Sequence, residues 1–118
     1  MRRFAILACS LLLAGTSSAQ QNDLAAHGAE VFDHLCAPCH GDGPGSDGAT
    51  MLPGTYALHV KYGGSKPALL ARRTDLPAEV IRTFLRNGVA SMPPFRPTEL
   101  PDSDIDAIAA FIRYSSSR

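Results

Sequence analysis

Beyond residue 19, this chain of 118 residues has no apolar run long enough to span a bilayer, which takes roughly 20 residues. A spanning helix in the body of the protein is therefore excluded. No stretch alternates apolar and polar residues as a half-buried strand would, so sheet architectures have no support, and neither does a βαβ unit around a redox dithiol. Internal repeats are absent, and so is tryptophan. The formal charge is zero, and a chain without a basic excess makes a poor partner for nucleic acid. Cysteine is scarce: Cys9, Cys36 and Cys39 are the three. With no second pair, a zinc site would have to enlist His27, His34 or His59 at unsuitable spacing.

What is present begins with an export signal. Met1-Arg2-Arg3 is positive, Phe4 to Gly15 is apolar except for Ser10, and Thr16-Ser17-Ser18-Ala19 supplies small residues. This layout predicts a secretory signal peptide over 1–19, cleaved after Ala19, and one domain over 20–118 in the periplasm. The run is too short for a membrane anchor, and a lipoprotein site at Cys9 would leave only a few apolar residues before it. Cleavage removes Cys9, Arg2 and Arg3, leaving nine basic against eleven acidic side chains, a formal −2. Two thiols in an exported protein ordinarily suggest a disulfide. Between Cys36 and Cys39 it would close a very short loop and add little stability, so these cysteines have another task.

Three stretches carry helical periodicity. Asp23 to about Leu35 places Leu24, Val31, Phe32 and Leu35 on one stripe. Pro77 to Asn87 turns Val80, Ile81, Phe84 and Leu85 inward, with Pro77 suited to a first turn and Gly88 to the stop. Asp102 to Tyr114 places Ile105, Ile108, Phe111 and Ile112 on one side, with Asp102, Asp104 and Asp106 where the helix dipole favours negative charge. Between the first two lie roughly 40 residues rich in Gly and Pro, too long for plain coil in a small domain. That stretch is expected to hold a short helix near Lys66–Ala71 and to wrap something that is not protein.

Charge is segregated along the chain. Residues 20–60 carry five acids and no Lys or Arg, whereas 61–96 carry Lys61, Lys66, Arg72, Arg73, Arg82, Arg86 and Arg96 against Asp75 and Glu79. Residues 97–118 return to a net −2. Such runs are as often a solvated face as a docking surface.

Cys36-Ala37-Pro38-Cys39-His40 is the C-x-x-C-H pattern of covalent haem attachment. Two thiols three positions apart each add to one vinyl group on the same porphyrin edge, and the next residue presents an imidazole to the iron. The motif follows a helix rather than a strand, which disfavours a thioredoxin-like dithiol. Its context, Gly28-x-x-Val31-Phe32-x-x-x-Cys36-Ala37-x-Cys39-His40-Gly41, resembles the N-terminal helix and haem motif of class I cytochromes c. The resemblance covers the whole of 20–118. It implies an all-α fold of three main helices and short helical segments around one covalently attached haem c. It also implies close approach of Gly28 to the C-terminal helix, with Phe32 against Phe111.

Asn87-Gly88-Val89-Ala90-Ser91-Met92-Pro93-Pro94-Phe95 looks like that family's distal loop, which makes Met92 the implied sixth ligand opposite His40. Met51 and His59 are the rivals, and an open distal site is the remaining alternative; His27 and His34 fall on the outer side of the first helix. The family's hydrogen-bond acceptor for the proximal histidine maps to Pro53, with Pro44 as the rival. Tyr56, Tyr62, Arg72 and Arg73 lie in the stretch that would pass the haem propionates, and surface solvation serves either arginine equally.

The expected function is therefore a periplasmic electron carrier rather than an enzyme, moving single electrons through a His/Met haem c. The alternative is a haem c sensor or enzyme subunit with an open distal site. Pro53-Gly54-Thr55, Lys61-Tyr62-x-Gly64, Pro67-Ala68-Leu69-Leu70, Arg73-Thr74-Asp75-Leu76 and Met92 to Arg96 resemble the small bacterial cytochromes that serve flavin or quinone dehydrogenases. That likeness implies such a dehydrogenase as donor, and a terminal oxidase or another cytochrome as acceptor. Because Met92 lies inside the basic stretch, part of that positive surface is expected to flank the haem edge and to meet an acidic partner.

Overall fold

The computed structural model describes residues 15–45 and 47–118. The positive start and most of the apolar run of the expected export signal lie outside the described residues. Helix α1 spans Gly15–Leu35, α2 Ala37–His40, α3 Pro53–Tyr62, α4 Ala78–Asn87 and α5 Asp102–Ser116, with a 3-10 turn at Leu70–Arg72. Among the described residues there is no strand, only an isolated bridge between Val89 and Met92, as the all-α reading expects. No described helix is long and apolar enough to cross a membrane.

Among the described residues, helix α1 already includes Gly15 to Asn22, eight residues ahead of the apolar stripe. Gly15 to Asn22 has no apolar periodicity, and only Ala19, Gln20 and Gln21 in it are strong helix formers, so neither pattern nor propensity announces this part of the helix. Proline punctuates the later starts: Pro53 opens α3, Pro77 caps α4 and Pro101 caps α5, each where a missing N–H costs nothing. Gly88 ends α4 at φ 69°, a left-handed position.

The core is one cluster of Phe32, Ile81, Leu85, Leu100, Ile105, Ile108, Ala109 and Ile112, drawn from α1, α4, α5 and the turn before α5. Two expected core positions differ. Leu24 and Phe84 are exposed. On α1 the buried positions are Ala25, Gly28 and Phe32, because small residues let the helix lie close on α5 where Leu24 would hold it off. A Cβ at Gly28 would stand 1.8 Å from the Ala107 carbonyl oxygen. Just beyond, the Phe32 and Phe111 rings pack with centroids 5.1 Å apart. His27 Nε2 meets Asp104 Oδ1 at 3.0 Å across the same helix pair.

Helix α3 was not expected. Only Thr55 in it is buried, so it presents no apolar stripe to be read. The short helix anticipated near Lys66–Ala71 is reduced to the 3-10 turn, which Ser115 of α5 holds by donating to the Ala71 carbonyl at 2.8 Å. The end of α3 is fastened by Tyr62, over which the Arg73 guanidinium stacks at 4.8 Å. Arg73, itself buried, donates to both Asp75 carboxylate oxygens, and Lys66 joins the same carboxylate. These two cations hold the Asp75 carboxyl well below the usual range.

Candidate functional site

Cys36, Cys39 and His40 are brought together by one turn of helix. The Cys36 N–H donates to Phe32 O at 2.8 Å and so continues the α1 ladder, while Cys36 O accepts from Cys39 N–H (3.1 Å) and His40 N–H (2.8 Å). Three residues apart, the two cysteines share a helix face. Both are free thiols. Cys39 is exposed; Cys36 is half-buried against the core, and burial, with Cys39 adding to it, pushes its pKa up to about 11. It is a thiol, not a thiolate, at neutral pH.

The His40 ring is pinned from the other side by the first turn of α3. A Cβ at Gly54 would lie 2.7 Å from His40 Cε1 and 2.8 Å from both Nδ1 and the Cys39 carbonyl oxygen. Thr55, next along, donates its hydroxyl to Gly41 O at 2.9 Å and closes the loop from α2 back to α3. Burial lowers the His40 pKa, so the ring is neutral at neutral pH and keeps a lone pair for a metal. Its Nδ1 is buried and has no hydrogen-bond partner. Neither Pro53 nor Pro44 therefore accepts from it. Pro53 is the first residue of α3, and its carbonyl belongs to the helix ladder.

Two thiols on one face, beside a neutral imidazole whose Nδ1 has no hydrogen-bond partner among the described residues, are a donor set that fits haem c. Among the described residues no group of three or more His, Cys, Asp or Glu is placed to hold a metal ion. Gly54 was missed as a site residue. Its role depends on which side chain lies opposite it, and no local pattern records that. Gly54→Ala should cost about 1–3 kcal/mol by overpacking, read as a lower denaturant midpoint at unchanged slope. An unchanged midpoint would mean that α3 does not hold the ring.

Met92 sits in a tight turn. Met92 N–H donates to Val89 O at 2.9 Å and Val89 N–H to Met92 O at 3.0 Å, with Ala90 in the left-handed region at φ 51°. Gly88 allows the turn, since a Cβ there would lie 2.7 Å from Met92 O and 2.9 Å from Pro94 N. Met92 is half-buried and packs on the same cluster as Cys36 and Ala37. Met51 and His59 do not belong to that cluster.

A cavity of about 480 Å³ lies against His40, lined by Phe32, Ala37, Leu69 and Phe111 together with Asp42 and Arg72. A second, of about 290 Å³, shares Asp42, Leu69 and Arg72 and is lined by Met51. Met92 lines neither.

The basic stretch is not a free positive face. Lys66 and Arg73 bind Asp75, Arg82 binds Asp102 and Asp106, Arg86 binds Asp102, and Arg96 binds Glu99. Of its seven cations, only Lys61 and Arg72 lack an acidic partner among the described residues. Among the described residues, none of the five acids of residues 20–60 is in an ion pair with Lys or Arg. The expected positive rim beside Met92 is therefore largely neutralised from within, by carboxylates further along the chain.

A family model described as cytochrome c oxidase, cbb3-type, subunit III matches residues 23–112. Comparison with curated proteins and with solved structures finds no match.

Proposed function

The chain belongs to the c-type cytochrome family described as cbb3-type cytochrome c oxidase subunit III, a monohaem electron-transfer domain with covalently bound haem c, and we propose that it is an exported one-electron carrier whose haem is bonded to Cys36 and Cys39 with His40 and Met92 as axial ligands. The observation that carries this reading is His40: a half-buried, neutral imidazole on the same turn as two free thiols, its buried Nδ1 without a hydrogen-bond partner among the described residues and its ring braced by Gly54. When bound, the haem supplies a one-electron iron couple, which a soft thioether ligand shifts toward the reduced form.

The residues do the rest. Cys36 and Cys39 fix the cofactor to one helical turn. Gly54 and Thr55 hold the loop that backs His40. The Val89–Met92 turn presents the thioether, and the cluster around Phe32 and Ile108 supplies the dry wall that limits reorganisation. Redox partner proteins follow from the family. The donor we propose is a periplasmic flavin or quinone dehydrogenase, and the acceptor a terminal oxidase or another cytochrome. With the basic stretch internally paired, charge steering has fewer free cations to act through than the sequence alone suggests.

A second reading, an open distal position, is favoured by the cavity against His40, which Met92 does not line. One experiment separates the two. Oxidised protein is expected to show the weak near-infrared band of methionine-to-iron(III) charge transfer. Met92→Ala should abolish it and lower the reduction potential, while Met51→Ala changes neither. A wild-type protein without that band would leave the distal position open.

A further inference from the structure

The segment from Gly88 to Pro101 has no helix, yet its backbone is tied at several points. Val89 and Met92 close their turn, Phe95 N–H donates to Leu85 O at 2.7 Å, and Leu100 N–H donates to Arg96 O at 3.0 Å. The remaining tie is a side chain. Arg86, in the last turn of α4, donates Nη1 to Phe95 O and Nη2 to Leu100 O, each at 2.9 Å, and Nη2 also meets Asp102 Oδ1 at 2.6 Å. Its side chain is only 20% exposed. One guanidinium thus grips the chain both just after Met92 and at the entry to α5.

Between Met92 and Phe95 stand Pro93 and Pro94, each with φ locked by its ring. A link so stiff has little slack, so fixing the Phe95 carbonyl also fixes where the Met92 side chain can reach. Gly88 closes the other end, where any side chain would strike Met92 O and Pro94 N.

We infer that Arg86 is a positioning residue for Met92, holding the methionine turn against the core through the Phe95 and Leu100 carbonyls. The inference rests on Met92 being the axial ligand. Planar, forked donation to two carbonyls and a carboxylate is something Arg provides and Lys does not. The neighbouring Arg82 supplies a built-in comparison. It shares Asp102, binds Asp106 as well, and donates to no carbonyl of the methionine segment.

The test is displacement by exogenous imidazole in the oxidised holoprotein, followed by loss of the methionine–iron band. Imidazole enters when the turn opens, so its apparent affinity scales with the open fraction. Arg86→Met should raise that affinity about tenfold or more, because a half-buried charged donor to two carbonyls is lost. Arg86→Lys should raise it by less, and it guards against a methionine variant that fails to fold. Arg82→Met should change it by less than about twofold, as partly exposed ion pairs contribute little. Arg86→Met and Arg82→Met acting alike would overturn the inference, as would unchanged affinity in both Arg86 variants while Met92→Ala abolishes the band. A wild-type protein lacking the band would instead remove the ligand assignment, and this inference with it.

Discussion

With Cys36 and Cys39 both replaced by alanine, the chain passed through a haem c maturation system is expected to emerge without covalent haem. Its mass should equal that of the polypeptide, and any colour should leave on acid–acetone extraction, whereas the unsubstituted protein keeps one haem through the same treatment. The effect should be all-or-none because the two thiols are the proposed points of attachment and no other cysteine lies within 20–118. The structural consequence should be uneven. The buried cluster draws on α1, α4, α5 and Leu100, while among the described residues between 41 and 76 only Thr55 and Arg73 are buried. That middle third has too little apolar burial of its own to offset its ordering entropy, so it leans on whatever it wraps. Amide hydrogen exchange of the double variant should therefore show protection lost first over 41–76, while the α1–α5 pair is the last to open. Middle-segment amides as protected as in the holoprotein would mean that Tyr62, Arg73 and Asp75 suffice to hold it, and that the cofactor is no part of its stability.

The same division explains what could be read in advance. The proposed attachment turn is local: Cys36, Cys39 and His40 span five residues, so their spacing can be read directly from the sequence. Helices α4 and α5 were legible because Pro77, Gly88 and the acids from Asp102 onward punctuate an apolar stripe. Helix α3 was not, since its single buried residue is a threonine. The Gly15–Asn22 part of α1 escaped notice because it carries no apolar stripe to detect.

What stayed out of reach is non-local and mostly polar. Arg82 finds Asp106 and Arg86 finds Asp102 across elements, so seven cations that looked like a positive face are largely spent on internal pairs. Gly54 matters only because His40 is folded against it. The lesson lies in the kind of contact. Periodicity reports burial of a face, but it says nothing about which backbone carbonyl an arginine reaches or which ring a glycine touches.

Gly28 gives the sharpest contest between local and tertiary effects, because the two predict opposite signs. In the interior of α1, Gly→Ala should by helix propensity stabilise by about 0.8–1 kcal/mol. Tertiary geometry says otherwise. The new methyl would lie 1.8 Å from Ala107 O, 2.3 Å from Ala107 C and 3.0 Å from Ile108 N. All three are backbone atoms of α5, so no rotamer change can clear them and the two helices must separate. Separation would loosen the Phe32–Phe111 contact and open the cluster around Ile105 and Ile108. Overpacking ordinarily costs about 1–3 kcal/mol, and a clash with backbone belongs at or above the top of that range. The propensity gain is too small to offset it, so Gly28→Ala should be destabilising by roughly 2 kcal/mol or more, a drop in Tm of order 10 °C for a domain of this size. Ala25→Gly, at another buried position of the same helix, is the companion variant, expected to lose only about 1 kcal/mol from propensity plus a small cavity term. A thermal melt of the holoprotein reads both. A rise in Tm for Gly28→Ala would mean that α1 and α5 do not approach closely at this point, and the helix pair that positions the haem-attachment turn would have to be redrawn.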